Sequence, residues 1–202
     1  MPFLDTQVDI INAHLKNEVL SDNRFAQGLV VGLASLVTIS EDEAADKRYP
    51  IYYDDQQEPK YIGIDDTYPL VVYHRLTGGS RYTDLEADSY GDAVDRIEMV
   101  SDMVMVVFGK RKPLRLNAED LETMCILGAP SSIPRSVLTG TKIDKMSVQF
   151  SSTNMDALAV FGEEYQGVDF RVSPEDFLFN ISYSITAQYR KDCVRPCDCL
   201  PQ

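Results

Sequence analysis

From Phe177 to Arg190 the sequence alternates without a break. Phe177, Phe179, Ile181, Tyr183, Ile185, Ala187 and Tyr189 occupy one set of positions, and Leu178, Asn180, Ser182, Ser184, Thr186, Gln188 and Arg190 the other. Only an extended chain sends every second side chain the same way, so the run is read as a strand with one apolar and one mostly polar face. Strands usually span ~5–6 residues, and one this long with a polar face belongs in an antiparallel sheet whose other face packs on helices.

A second run repeats the pattern. Between Ile97 and Val107, the positions Ile97, Met99, Met103, Met105 and Val107 share a face, with Arg96, Glu98 and Asp102 opposite near its start. Helical spacing occurs elsewhere: Leu4, Val8, Ile11, Leu15 and Val19 recur at three and four residues. Asn117-Ala-Glu-Asp reads as an N-cap with an acidic first turn, leading into Leu121, Met124 and Cys125 and stopping at Gly128-Ala-Pro. The expected fold is α+β: one mostly antiparallel sheet with 97–108 and 177–190 as neighbours, packed against two or three helices, 4–20 and 117–128 among them. Phe25 to Ile39 is apolar and fits a buried strand or a short helix. Three Tyr- and Val-rich pieces near 49–53, 61–64 and 68–76 read as strands. The 202 residues suit a single domain, 1–202, with an acidic β-rich stretch over about 41–92 and an irregular insertion over about 129–170 inside it.

Charge narrows the functional classes. The formal net charge is −13, and residues 41–98 hold fifteen acidic and six basic side chains, so most of the excess sits in one stretch. Such a surface repels nucleic-acid phosphates and anionic lipid heads. No window reaches the length of a membrane span, and Met1-Pro-Phe-Leu-Asp lacks the basic opening of a secretory signal, so a soluble cytosolic product is expected, with reduced thiols.

Catalytic patterns are missing. There is no phosphate-cradling glycine loop, no His-Glu-x-x-His and no Gly-x-Ser-x-Gly, and the only histidines are His14 and His74, read as packing or surface residues. The chain is expected not to be an enzyme and to need no cofactor. Asp54-Asp55 and Asp65-Asp66 could face a hard cation but lack calcium-loop spacing, and solvated turns fit them better. Cys193, Cys197 and Cys199 offer three thiolates for zinc, with Cys125, a His or another subunit as fourth ligand; this is the lesser alternative, because closed sites usually use paired Cys-x-x-Cys spacing. Asn180-Ile-Ser matches a glycosylation acceptor, yet lies mid-strand and is read as chance. Lys110, Arg111, Lys112 and Arg115 form a basic cluster directly after a long strand, suited to guarding a sheet edge or to docking on acidic Asp54, Asp55, Asp65 and Asp66 of a neighbouring subunit.

The N-terminal amphipathic helix, the Tyr-Pro-containing β region, the strand Arg96-Ile-Glu-Met-Val-Ser-Asp-Met-Val-Met-Val-Val, the helix after Asn117 and the closing strand Leu178-Phe-Asn-Ile-Ser-Tyr-Ser-Ile follow in an order that resembles the tail-terminator and head–tail neck proteins of tailed bacteriophages. The resemblance implies a small α+β subunit of the virion, without a catalytic site. Such subunits form a homo-oligomeric ring that contacts neighbouring neck or tail proteins and lets DNA pass without sequence-specific binding. The acidic stretch and the 129–170 region depart from the smaller members. A non-viral soluble adaptor that adds a partner's strand is the alternative, and a metal protein or enzyme using the acidic turns or C-terminal cysteines is the lesser one.

Overall fold

A computed structural model describes residues 2–18, 27–40, 46–54, 56–63, 68–85, 96–128, 131–168, 173 and 175–190. In chain order the elements are α1 (Pro2–Glu18), β1 (Leu29–Ile39), β2 (Lys47–Tyr53), β3 (Pro59–Tyr61), β4 (Leu70–Leu76), β5 (Arg81–Leu85) and β6 (Arg96–Lys110). After them come α2 (Arg111–Leu114), α3 (Ala118–Gly128), α4 (Arg135–Leu138), β7 (Ile143–Asn154), α5 (Ala157–Glu164) and β8 (Asp176–Arg190). The fold is α+β, with one eight-stranded sheet in the order β3-β2-β1-β4-β6-β8-β7, and β5 beside β6. Every pairing is antiparallel except β1 with β4.

The two alternating runs are the sheet's centre. β6 and β8 pair from Arg96↔Arg190 to Lys110↔Asp176. Met99, Met103, Met105 and Val107 of β6 join Phe179, Ile181, Tyr183 and Ile185 of β8 in one core, closed over by Val8, Ile11 and Leu15 of α1 and Leu121 and Cys125 of α3. Asn117 caps α3, its Oδ1 accepting from the Asp120 N–H at 2.7 Å. No helix among the described residues is long and apolar enough to cross a membrane.

The structure differs from expectation on the other face. Val104, Val106 and Phe108 of β6 and Leu178 of β8 are buried beneath Val160 and Tyr165, in and beside α5, so helices cover both faces rather than one. The 129–170 stretch is not irregular: it supplies α5 and the edge strand β7. Register shifts between Ile143 and Lys145 and between Phe150 and Ser152 break the period of β7, and each slip of one residue exchanges the faces, which hides the alternation. The 61–64 piece shrinks to β3, Pro59–Tyr61, and β5 carries no pattern of its own. β5 continues the line of β4 along β6 after a break at residues 77–80, where the Thr77 N–H and hydroxyl both donate to the Asp102 carbonyl.

Candidate assembly surface

At the end of β6 the chain turns through α2 and reaches Arg115 in the left-handed conformation (φ 53°), whose N–H donates to the Arg111 carbonyl at 2.8 Å. The turn is anchored rather than loose. The Lys110 N–H donates to the Pro69 carbonyl and the Arg111 N–H to the Glu175 carbonyl, both at 2.9 Å, while Leu114 is fully buried beneath it. Phe177 lies so close over Gly109 that a Cβ there would collide with its ring. Arg111, Lys112 and Arg115 are exposed, and Lys112 reaches the exposed Glu175 carboxylate at 2.7 Å. An exposed pair of that kind is worth ~0–1 kcal/mol and exchanges partners readily.

Asp54 has a local duty. Its Oδ1 accepts from the N–H groups of Gln56 and Glu58, both at 2.9 Å, closing the β2–β3 turn, and its Oδ2 lies 3.4 Å from Lys60 Nζ. The backbone donor of Glu58, before any other group, holds its carboxyl below the usual carboxylate range. Register carries β2 toward the same end of the sheet as the basic turn, because Ser35 lies opposite Ile51, Leu33 opposite His74 and His74 opposite Met105. Asp55, Asp65 and Asp66, and the cysteines Cys193, Cys197 and Cys199, lie outside the described residues. Cys125 is buried in α3, where desolvation pushes its thiol up to about 12 and suits it to packing rather than to metal ligation. Among the described residues no group of three His, Cys, Asp or Glu side chains could hold a metal ion.

The strand edges differ, and the sequence did not announce it. β3 is three residues long, and Pro59, whose main chain faces outward, has no N–H to offer. On the other edge, residues 131–133 cover part of β7, through Ile133 N–H to Met146 carbonyl at 2.9 Å and Val148 N–H to Ser131 carbonyl at 3.1 Å. Beyond Val148 no main-chain partner reaches the outer side of β7 among the described residues. Alternation from Val148 through the second register shift leaves Phe150 and Thr153 facing outward. Gln149-Phe-Ser-Ser-Thr-Asn carries no charge and no proline, the usual guards of an edge. Beside it Met155 is 39% and Leu158 75% exposed. The one signal available in the sequence was that uncharged run.

The polar side chains of Tyr73, His74 and Arg75 on β4 are matched internally. Asn12 Nδ2 donates to the Val31 carbonyl at 3.0 Å, which leaves its Oδ1 to accept from His74 Nε2–H at 2.9 Å. His74 Nδ1 is therefore the acceptor for the Tyr183 hydroxyl at 2.7 Å. Burial depresses the His74 imidazole to about 3, so the neutral ring is the stable form. On the opposite face Arg75 grips Glu164, Nη2 to Oε1 at 2.6 Å with Nε 3.1 Å from the same oxygen, and the Tyr73 hydroxyl donates to Oε2 at 3.1 Å. His74 is a packed core residue, one of the two roles expected for it.

No protein-family model matches the sequence, and no curated protein is significantly similar to it.

Proposed function

We propose that the protein is a structural subunit of a tailed-phage virion, self-associating into a ring at the neck or tail end that joins neighbouring virion proteins and lets DNA pass. The observation that carries this reading is the uncharged open edge of β7 flanked by exposed Met155 and Leu158, a template for strand pairing. At the same end of the sheet stands the anchored basic turn, Lys110 to Arg115, in a chain of net charge −13. A ring needs two different surfaces that meet head to tail, and a basic projection meeting the acidic 41–98 stretch of the next subunit supplies a second one. Apolar contact and strand pairing carry the affinity; the charges set register. The negative surface suits passage of DNA without adhesion.

Light scattering followed by negative-stain imaging tests the reading, with closed rings the expected result. Thr153→Pro removes only an outward N–H, so it should abolish assembly while leaving thermal unfolding of the subunit nearly unchanged. Reversal of Lys110, Arg111, Lys112 and Arg115 to Glu should slow assembly and alter its salt dependence. A protein that stays monomeric at high concentration and with phage neck proteins present defeats the ring, and the same β7 edge then favours the adaptor reading.

A further inference from the structure

Open strand sides are usually guarded by charge or proline, and β3 has Pro59 and β5 has Arg81 and Asp84. The β7 edge lacks such guards, and one further stretch lacks them too, at the end of the sheet opposite the basic turn. There β1, parallel to β4 as far as Ala34↔Arg75, leaves it and pairs with β2 from Ser35↔Ile51 onward. The Ile62 N–H donates to the Pro50 carbonyl, and the Arg48 N–H to the Gln166 carbonyl, so Pro50 and Arg48 turn away from β1. Ile51, Tyr49 and Lys47 then hold Ser35, Val37 and Ile39, while Leu36 and Thr38 direct N–H and C=O into the fork where β4 ends. No main-chain group among the described residues meets them, and Ser35-Leu-Val-Thr-Ile has no charge and no proline.

In the angle of the fork lies a cavity of about 430 Å³, lined by Leu4, Leu33, Leu36 and Leu76 together with Ser35 and Arg75. That volume falls in the range of binding pockets, ~300–1,000 Å³. The cations around it are already engaged: Arg75 is held by fully buried Glu164, Arg81 by Asp102 and Arg48 by the Glu163 carbonyl, and Lys47 is not free. The fork therefore suits an uncharged strand that brings an apolar side chain, rather than an acid. β7 offers that combination. Gln149–Asn154 is uncharged, its main chain is open at Phe150 and Thr153, and Leu158 stands beside it 75% exposed.

We infer that the β7 edge of one copy adds as a strand to Leu36 and Thr38 of the next and seats Leu158 in the next copy's cavity. This rests on the ring reading and names the surface that receives the β7 edge. One such contact covers two unguarded edges, each of which would otherwise invite irregular pairing. In the sheet order β7 and β1 lie on opposite sides of the β6–β8 centre, so the contact joins two different surfaces and repeats head to tail. Pairing of β7 with a second β7 would instead close a two-fold dimer and leave every fork open. The contact sets no charge against another, so it is compatible with the charge pairing that fixes register.

The test uses the full chain, with particle mass read by light scattering. Thr153→Pro blocks the β7 edge, and Thr38→Pro, at an exposed position whose N–H makes no bond to β2, blocks the fork. Each variant alone should stay monomeric. Mixed in equal amounts they should form a dimer that grows no further, because one supplies an intact β7 edge, the other an intact fork, and the remaining two surfaces are blocked. Leu158→Asp should weaken assembly of the parent chain about tenfold or more, since it carries a charge into an apolar cavity. All three should keep unfolding temperatures near the parent's; Ser35→Phe, which fills the cavity from an exposed position, replaces Thr38→Pro if that variant unfolds. Assembly of either blocked variant alone, dimers of Thr38→Pro by itself, or a mixture that stays monomeric while the parent assembles overturns the β7–β1 contact and leaves the ring standing. A parent chain that stays monomeric overturns both.

Discussion

Three successive residues of β4 send polar groups into opposite faces of the sheet, and the two faces satisfy them in different ways. His74 enters the α1 side, where Asn12 and Tyr183 complete a neutral chain of hydrogen bonds ending on the Val31 carbonyl. Tyr73 and Arg75 enter the α5 side and converge on Glu164, a carboxylate with no exposure. A neutral network loses one bond when a member is removed; an ion pair leaves a full charge in a poor solvent. The faces should therefore fail by different amounts.

Glu164→Ala should be the most damaging change, costing about 3–5 kcal/mol because Arg75 and Tyr73 lose their acceptor inside the fold. Urea unfolding measures it, and replacing Arg75 and Glu164 together by Met and Leu should recover most of the loss. If the single variant were as stable as the parent, the contrast between faces would collapse. On the neutral side Tyr183→Phe should cost about 1–3 kcal/mol, since only the His74 Nδ1 acceptor is orphaned.

Acid sharpens the difference further. In the unfolded chain His74 takes a proton near 6.5, while the folded ring resists until about 3. Between those values the unfolded state binds more protons, so this residue makes stability fall as pH drops below 6.5, by up to about 1.4 kcal/mol per pH unit, levelling off near 3. The urea midpoint followed from pH 7 to 5 should show that slope, and His74→Gln should flatten it. The smallest effects belong to the helix caps, Asn117 on the α1 side and Asp156, which accepts from Leu158 and Ala159, on the α5 side. Each to Ala should cost about 1 kcal/mol, nearly equally, because a cap serves its helix and not the face behind it.

What the sequence disclosed follows the same physics. β6 and β8 were legible because an uninterrupted ladder keeps strict alternation, and α1 because its apolar residues stay on one stripe. β7 was hidden by its two shifts, α5 by its eight-residue length, and the parallel pairing of β1 with β4 by having no local signature. The basic turn could be read directly from Lys110 to Arg115. The openness of the β7 edge could not, since it depends on which strand stands beside which. Asp54 was read as a turn residue and closes a turn, but the backbone donors of Gln56 and Glu58 that occupy its carboxylate are invisible in a residue string.

The fifteen-residue ladder between β6 and β8 also has a mechanical meaning. Its hydrogen bonds lie across the strands, so force applied along their length strains all of them at once, whereas force applied across them opens one at a time like a zipper. The sheet is stiff in tension along β8 and compliant to peeling. The direction of an applied load therefore decides how much of it the fold bears before the sheet parts.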